Sequence, residues 1–378
     1  MASRGPFVYL RGLALLGVVF AYGIAVGLYH VPPFATLKSV QDSLGVYWLE
    51  LVGARYRRDQ EVLQFAFTGK LIDGEQILPP IKSLEALFAA DASMETPIDS
   101  YYDAYDAIQL GDVSLLDLDG GKTQVLKVAY ELAGARFEAY AYKFPEETDQ
   151  SVLIIPGSGS NQSSAIYARD AANYHFGILD AVDSSFSRYV LIKPNEDCIA
   201  FHNGTARLDP DFFVNWLLNR GASYSANYIV NSLAVTKYLR QRYRKVVVAG
   251  LSQGGAAALL NALQSKPDAA IVASGFSVLD ERITWAGYDQ IVIPGLHQRL
   301  DIDTVRDAIK RSPTRFLFTW GENERGPFRV DEHDHLTCDY LSGLRNVDCA
   351  VHKGGHVFPV DLIRRFLAAS ENAPQRHS

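Results

Sequence analysis

Basic runs, internal repeats, metal-ligand spacings and cysteine are what this chain of 378 residues is short of. The formal net charge is −7 and no Lys/Arg cluster offsets it, which excludes nucleic acid as a main partner. No low-complexity tract or repeat appears, and the 48% hydrophobic and 21% charged content is that of an ordinary globular protein. His333 and His335, in Asp331-Glu332-His333-Asp334-His335, match no zinc signature and read as the polar start of a helix. Asp117-Leu118-Asp119-Gly120-Gly121-Lys122-Thr123 has the spacing of neither a calcium loop nor a P-loop and reads as a turn. The expectation is a protein with no metal and no cofactor. Three cysteines allow one disulfide at most. Cys338 and Cys349 could pair in an oxidising compartment, with two buried thiols as the alternative and Cys198 left over.

Charge is missing altogether from Gly12 to Leu37. Residues 13–29 are nearly all apolar and span most of a bilayer core, which needs roughly 20 residues. Arg4 and Arg11 precede the run, so the positive-inside rule leaves the N-terminus in the cytoplasm. An uncleaved signal anchor is preferred, because the run is long for a signal peptide. A cleaved signal is the alternative, with Ala21-Tyr22-Gly23 and Ala25-Val26-Gly27 as small-x-small sites. A soluble core helix is the third reading. The two leading readings put the remainder of the chain outside the cytoplasm, as a single-pass membrane protein or a secreted one.

Against these absences stands Gly250-Leu251-Ser252-Gln253-Gly254-Gly255. It follows the apolar run Val246-Val247-Val248-Ala249, a predicted buried strand, and precedes an Ala-rich predicted helix. G-x-S-x-G between a strand and a helix is the nucleophile elbow, in which a tight turn needs small residues two positions either side of the serine. The Ser252 hydroxyl then stands at the strand end above a helix N-terminus, where free N–H groups favour a developing negative charge.

Other segments fall into order around it. Ser151-Val152-Leu153-Ile154-Ile155 is a predicted strand running into Pro156-Gly157-Ser158-Gly159-Ser160-Asn161. Arg315–Trp320 is another, running into Gly321-Glu322-Asn323-Glu324. Val347–Val351 is the last strand, and His356 follows in Lys353-Gly354-Gly355-His356 before a final helix. His352 competes with His356 but sits at the strand end itself. Gln124–Tyr130 and Ala135–Tyr142, joined by Leu132-Ala133-Gly134, form a predicted antiparallel hairpin.

The Pro-Gly-Ser-Gly loop, the elbow, the Gly-Glu-Asn-Glu turn and the Gly-Gly-His, in that order, resemble the α/β-hydrolase superfamily over about residues 120 to 370. The resemblance implies an α/β fold, a mostly parallel sheet flanked by helices. It implies Ser252 as nucleophile, His356 as general base and Glu324 as the carboxylate that orients it. Glu322, Asp331 and Asp280 are the other candidates for the acid. The N–H groups of Gln253 and Ser158 would form the oxyanion hole, with Gly159 as the alternative to Ser158. Pro156 stands where many such enzymes have His, and Glu is expected where Asp is usual.

The domain reading is a cytoplasmic tip and anchor over 1–31, a stalk over 32–115, and a catalytic domain over 116–372. Within the stalk, Leu37, Val40, Leu44, Tyr47, Leu51 and Ala54 have helical spacing. Two segments, 194–223 and 276–298, leave strand ends and are expected to form the substrate rim. Gly157, Gly159, Asn195 and His202 are the candidate substrate-binding residues. Aromatics mixed with Asn and Arg there suit a polar or sugar-bearing ester better than a bare lipid. The expected activity is a serine esterase acting on a small-molecule or glycan ester. An acyltransferase passing the acyl group to a sugar or other alcohol is the alternative, and a non-catalytic binding protein on the same fold is the third.

Overall fold

The computed structural model describes residues 104–371 apart from 119, 122, 133–134, 172, 176, 197, 204–205, 209–222, 279–285, 294–295 and 325–329, together with Tyr22 and Leu63–Phe67. The expected anchor and the predicted helix in the stalk lie outside the described residues. Among the described residues, no helix is long and apolar enough to cross a membrane. The chain divides into two compact units, Met1–Gln60 and Glu61–Ser378, and the main sheet with its helices belongs to the second.

In chain order the strands are β1 (Leu63–Phe67), β2 (Gln109–Leu118), β3 (Thr123–Leu132), β4 (Ala135–Lys143), β5 (Gln150–Ile155), β6 (Ser187–Ile192), β7 (Ile199–Asn203), β8 (Ala206–Leu208), β9 (Lys245–Leu251), β10 (Ala269–Ala273), β11 (Phe276–Val278), β12 (Ala286–Tyr288), β13 (Arg315–Gly321) and β14 (Val347–His352). The helices are α1 (Ala104–Ala107), α2 (Gln162–Tyr167), α3 (Ile178–Ala181), α4 (Tyr224–Arg242), α5 (Gln253–Ser265), α6 (Leu296–Arg299), α7 (Ile302–Arg311), α8 (Val330–Leu341) and α9 (Val360–Glu371).

Nine strands form the main sheet in the order β14-β13-β10-β9-β5-β6-β4-β3-β2. From β6 through β14 the neighbours are parallel, and β2, β3 and β4 form an antiparallel meander joined to β6. This is the mostly parallel α/β-hydrolase-like architecture that the motif order implied, and the expected hairpin is β3–β4. One boundary differs. β2 is the sheet's edge strand, so the fold starts before residue 116. Half of its residues are apolar, but Leu115 and Leu116 are adjacent and the register shifts between Leu110 and Val113, so no strict alternation marks it as a strand. In the stretch expected to be stalk, β1 also pairs with β7 of the rim segment.

The central strands are apolar without interruption because helices cover both faces. Alternation then divides each strand between two cores. Val246 and Val248 of β9 pack with α4, α5 and α7. Val247, Ala249 and Leu251 pack with residues of α2, α3 and α9. A disulfide joins Cys338 of α8 to Cys349 of β14, tying the helix to the strand that leads to His356.

The topology decides where a site can form. The chain leaves β5 for β6 on one side, then crosses back through α4 to β9 on the other. Chain reversal of this kind opens a crevice at the carboxyl ends of the two strands. The loop after β5 and the turn after β9 meet in that crevice.

Candidate active site

Ser252 sits in the turn between β9 and α5 with φ 61° and ψ −130°. A non-glycine residue holds such angles only where its surroundings over-determine them. Here the Ser252 N–H donates to Ala273 O at 2.9 Å, and Ser252 O accepts from Ala256 at 3.1 Å. The turn brings backbones together so closely that a Cβ on Gly250 would lie 1.9 Å from Gly254 O, and one on Gly254 would lie 2.1 Å from Ile155 O. The two flanking glycines of the motif are thus sterically required, and Ser252 projects above the first turn of α5.

Glu324 and His356 come together through the β13 and β14 ends. Glu322 N donates to His352 O at 2.9 Å and Asn323 N donates to Gly354 O at 2.8 Å, so the two loops run side by side. A Cβ on Gly321 would lie 2.2 Å from Gly355 O, which explains the glycine at the turn. Glu324 Oε2 then lies 3.4 Å from His356 Nδ1. Its other oxygen accepts from Gly321 N at 3.0 Å and from the Ser274 hydroxyl. Burial pushes the Glu324 carboxyl up, but the hydrogen bonds from His356, Gly321 and Ser274 outweigh it and hold it below the usual range. Of the other acid candidates, Glu322 is exposed, Asp280 lies outside the described residues, and so does the Asp331 side chain. His352 is turned to Thr319, with Nδ1 and the hydroxyl oxygen 3.2 Å apart.

Ser252 does not hydrogen-bond to His356. Its hydroxyl donates instead to Oδ2 of Asp289 at 2.5 Å. A carboxylate is a stronger acceptor than an imidazole, so it captures the hydroxyl in the resting site. Catalytic hydrogen bonds are commonly long or misaligned until substrate is bound. Asp289 is only 7% exposed. Burial pushes its carboxyl up, and the Ser252 bond and His356 oppose that shift. It follows the β11–β12 ribbon, with its own N–H on Gly275 O at 3.2 Å. No motif marks it, because its place depends on how that ribbon folds back beside β10.

The loop after β5 is clamped from behind. The Tyr228 hydroxyl donates to Pro156 O, and Gly157 N donates to His175 Nε2 at 2.7 Å. Lys193 Nζ donates to Gly157 O at 2.6 Å and to Gly159 O. The Tyr174 hydroxyl donates to Ser158 O at 3.0 Å. In a trans peptide the C=O and N–H point oppositely. Holding Gly157 O on the Lys193 side therefore turns the Ser158 N–H to the other side. Among the described residues, no protein group accepts from the backbone N–H of Ser158 or Gln253, while the Gln253 side-chain amide donates to Gln290 O at 3.2 Å.

Lys193, His175 and Tyr228 are all buried. Burial pulls Lys193 down to about 8, with Glu196 opposing the shift. Burial, helped by Lys193 and His356, pulls His175 down to about 3, so its ring is neutral and its Nε2 can accept. None of these residues was singled out from sequence. Lys193 at the end of the apolar strand β6 was the one available signal, since a lysine there must be either buried or functional.

Among the expected substrate contacts, Gly157 has both backbone polar groups engaged by His175 and Lys193, and the Gly159 carbonyl is held by Lys193. Asn195 Oδ1 accepts from the Tyr224 hydroxyl at 2.9 Å. These two glycines are thus held from behind through the groups named. His202 lies on β7, with its side chain outside the described residues.

No family model matches the chain, and no curated protein does. Solved structures resemble it at low identity. Acetyl xylan esterase 1 from Thermoanaerobacterium sp. is 15% identical over 81% of this chain and 99% of its own, with a TM-score of 0.40. A glucuronoyl esterase from Caldicellulosiruptor kristjansonii is 12% identical over 72% and 82%, with a TM-score of 0.45. Est1E from Butyrivibrio proteoclasticus is 15% identical over 69% and 99%, with a TM-score of 0.37. The reading of the chemistry rests on the residues themselves.

Proposed function

We propose that this protein is a serine hydrolase that cleaves carboxylic esters through an acyl-enzyme on Ser252. One observation carries the reading. A serine held at φ 61° on a helix N-terminus shares its end of the sheet with a buried carboxylate directed at a histidine. That combination supplies a nucleophile, a base and an orienter.

With Nδ1 on Glu324, His356 has Nε2 for the Ser252 proton. The Ser252 hydroxyl turns from Asp289 to His356, gives up its proton and attacks the ester carbonyl. Glu324 stabilises the imidazolium that forms. The oxyanion rests on the amides of Gln253 and Ser158, with the α5 N-terminus behind them. His356 returns the proton to the leaving alcohol, and water repeats the attack on the acyl-enzyme. Transfer to an alcohol uses the same groups and differs only in the second acceptor.

A fluorophosphonate probe should label Ser252, and the wild type should hydrolyse short p-nitrophenyl esters. Ser252→Ala should lose both activities. Hydrolysis by that variant at the wild-type rate sinks the reading. The apolar run over 13–29 supports a membrane tether with the enzyme on the extracytoplasmic side. The full-length chain should then stay with membranes through alkaline carbonate extraction, and release into the supernatant argues for secretion after cleavage.

A further inference from the structure

Asp289 has no part in the mechanism above, yet it is the group nearest the nucleophile. In the resting site the arrangement satisfies both partners: the Ser252 hydroxyl has an acceptor and the buried carboxylate has a donor at 2.5 Å. Acylation ends this. The Ser252 proton passes to His356, the Oγ–carbon bond forms, and the bond to the alcohol breaks as His356 returns the proton to it. Oγ is then an ester oxygen carrying lone pairs only. Asp289 Oδ2 has by then lost its donor.

Glu324 escapes this problem, because its partners Gly321 N, Ser274 and His356 all survive acylation. Asp289 cannot move far. It is anchored through Gly275 and continues a ribbon whose Tyr288 packs on Phe276 and donates to Leu300 O at 2.9 Å. A buried acceptor that loses its donor opposes the step that removes it. The replacement donor has to arrive with what enters the site.

We propose that Asp289 recognises a hydroxyl group of the substrate, carried beside the scissile ester on the acyl or the alcohol portion. This rests on the reading of Ser252 as nucleophile. A neutral hydroxyl fits better than an ammonium, because His356 becomes cationic close to Asp289 as it takes the serine proton. A carboxylate-bearing substrate is disfavoured by Asp289 and Glu324 together. Sites built to bond a substrate hydroxyl discriminate strongly against analogues that lack it.

The test uses two matched pairs: p-nitrophenyl 3-hydroxybutyrate against its 3-methoxy analogue, and 2-hydroxyethyl acetate against 2-methoxyethyl acetate. The wild type should favour the hydroxyl member of at least one pair by about 10- to 100-fold in kcat/KM. In Asp289→Ala that ratio should collapse toward one, and Asp289→Asn, which keeps the shape, should fall between. Thermal unfolding checks that both variants fold. Equal wild-type rates within both pairs show that water replaces the serine donor and overturn the proposal, while leaving the esterase reading intact. A preference that persists in folded Asp289→Ala overturns it too. Absence of both cleavage and fluorophosphonate labelling in the wild type removes the esterase reading, and the proposal with it.

Discussion

Lys193→Met isolates the clamp behind the oxyanion loop. Lys193 is buried and donates to two carbonyls of that loop, Gly157 O and Gly159 O. Hydrogen bonds from a charged donor are worth about 1.5–3 kcal/mol each, so the pair holds the loop with about 3–6 kcal/mol. Methionine fills a similar volume without the charge. The Gly157–Ser158 peptide then has no partner holding its carbonyl back, and the Ser158 N–H loses its fixed direction. The loss is bounded by that of one oxyanion donor, about 10²–10³ in kcat. We expect kcat to fall about 100-fold while KM moves by less than about threefold, because the bond matters in the transition state and little in the ground state. Thermal stability should fall as well, because methionine leaves the two loop carbonyls and the buried Glu196 carboxylate without the ammonium, so the kinetics are read well below the lowered Tm. The pH profile gives a second readout. With Lys193 pulled to about 8, wild-type kcat should decline as pH rises through that value and the ammonium gives up its proton. The variant should lack this limb. Steady-state kinetics on a p-nitrophenyl ester would decide. A folded Lys193→Met enzyme with unchanged kcat refutes the argument, as would a proportional rise in KM.

Glu324→Gln should lower kcat by about 10²–10⁴, because an amide cannot stabilise the imidazolium, whereas Glu322→Gln at the exposed neighbour should leave kcat unchanged. His175 is folded with a value near 3 against an ordinary 6.5. Between these limits the unfolded chain binds a proton that the folded one does not, so stability should fall as pH falls through that window. His175→Gln should reduce the slope by about 1.4 kcal/mol per pH unit in chemical denaturation. Replacing Cys338 and Cys349 together by Ala frees a link across a separation of 11 residues. It should cost about 2–3 kcal/mol, seen as a lower Tm, and an unchanged Tm contradicts that role.

The features legible in the sequence share one property: each is encoded locally. The elbow is a six-residue requirement for small side chains around a strained serine. β5, β9, β13 and β14 announce themselves as short apolar runs, and His356 by the glycines before it. The disulfide partners were nameable because a helix and the next strand bring them close. β2 was missed because its apolar residues are out of strict alternation, with adjacent Leu115 and Leu116 and a register shift between Leu110 and Val113. The clamp was missed because Tyr174 and His175, Lys193, and Tyr228 come from three segments far apart in the chain.

By itself the sequence determined the short apolar strands, the elbow at Ser252 and the order of the motifs around it, and the mostly parallel sheet was implied by the resemblance those motifs carry. Periodicity, turn sterics and residue type act over a few residues and need no distant contact. The tertiary structure alone decided the rest. It brought Glu324 rather than Glu322 against His356, because the turn after β13 buries one carboxylate and exposes the other. It aimed the Ser158 amide outward by fixing the opposite carbonyl with a lysine from the end of β6. It set Asp289, 37 residues along the chain from Ser252, on the serine hydroxyl. These are relations between strand ends, and they exist only once the sheet has chosen which ends lie side by side.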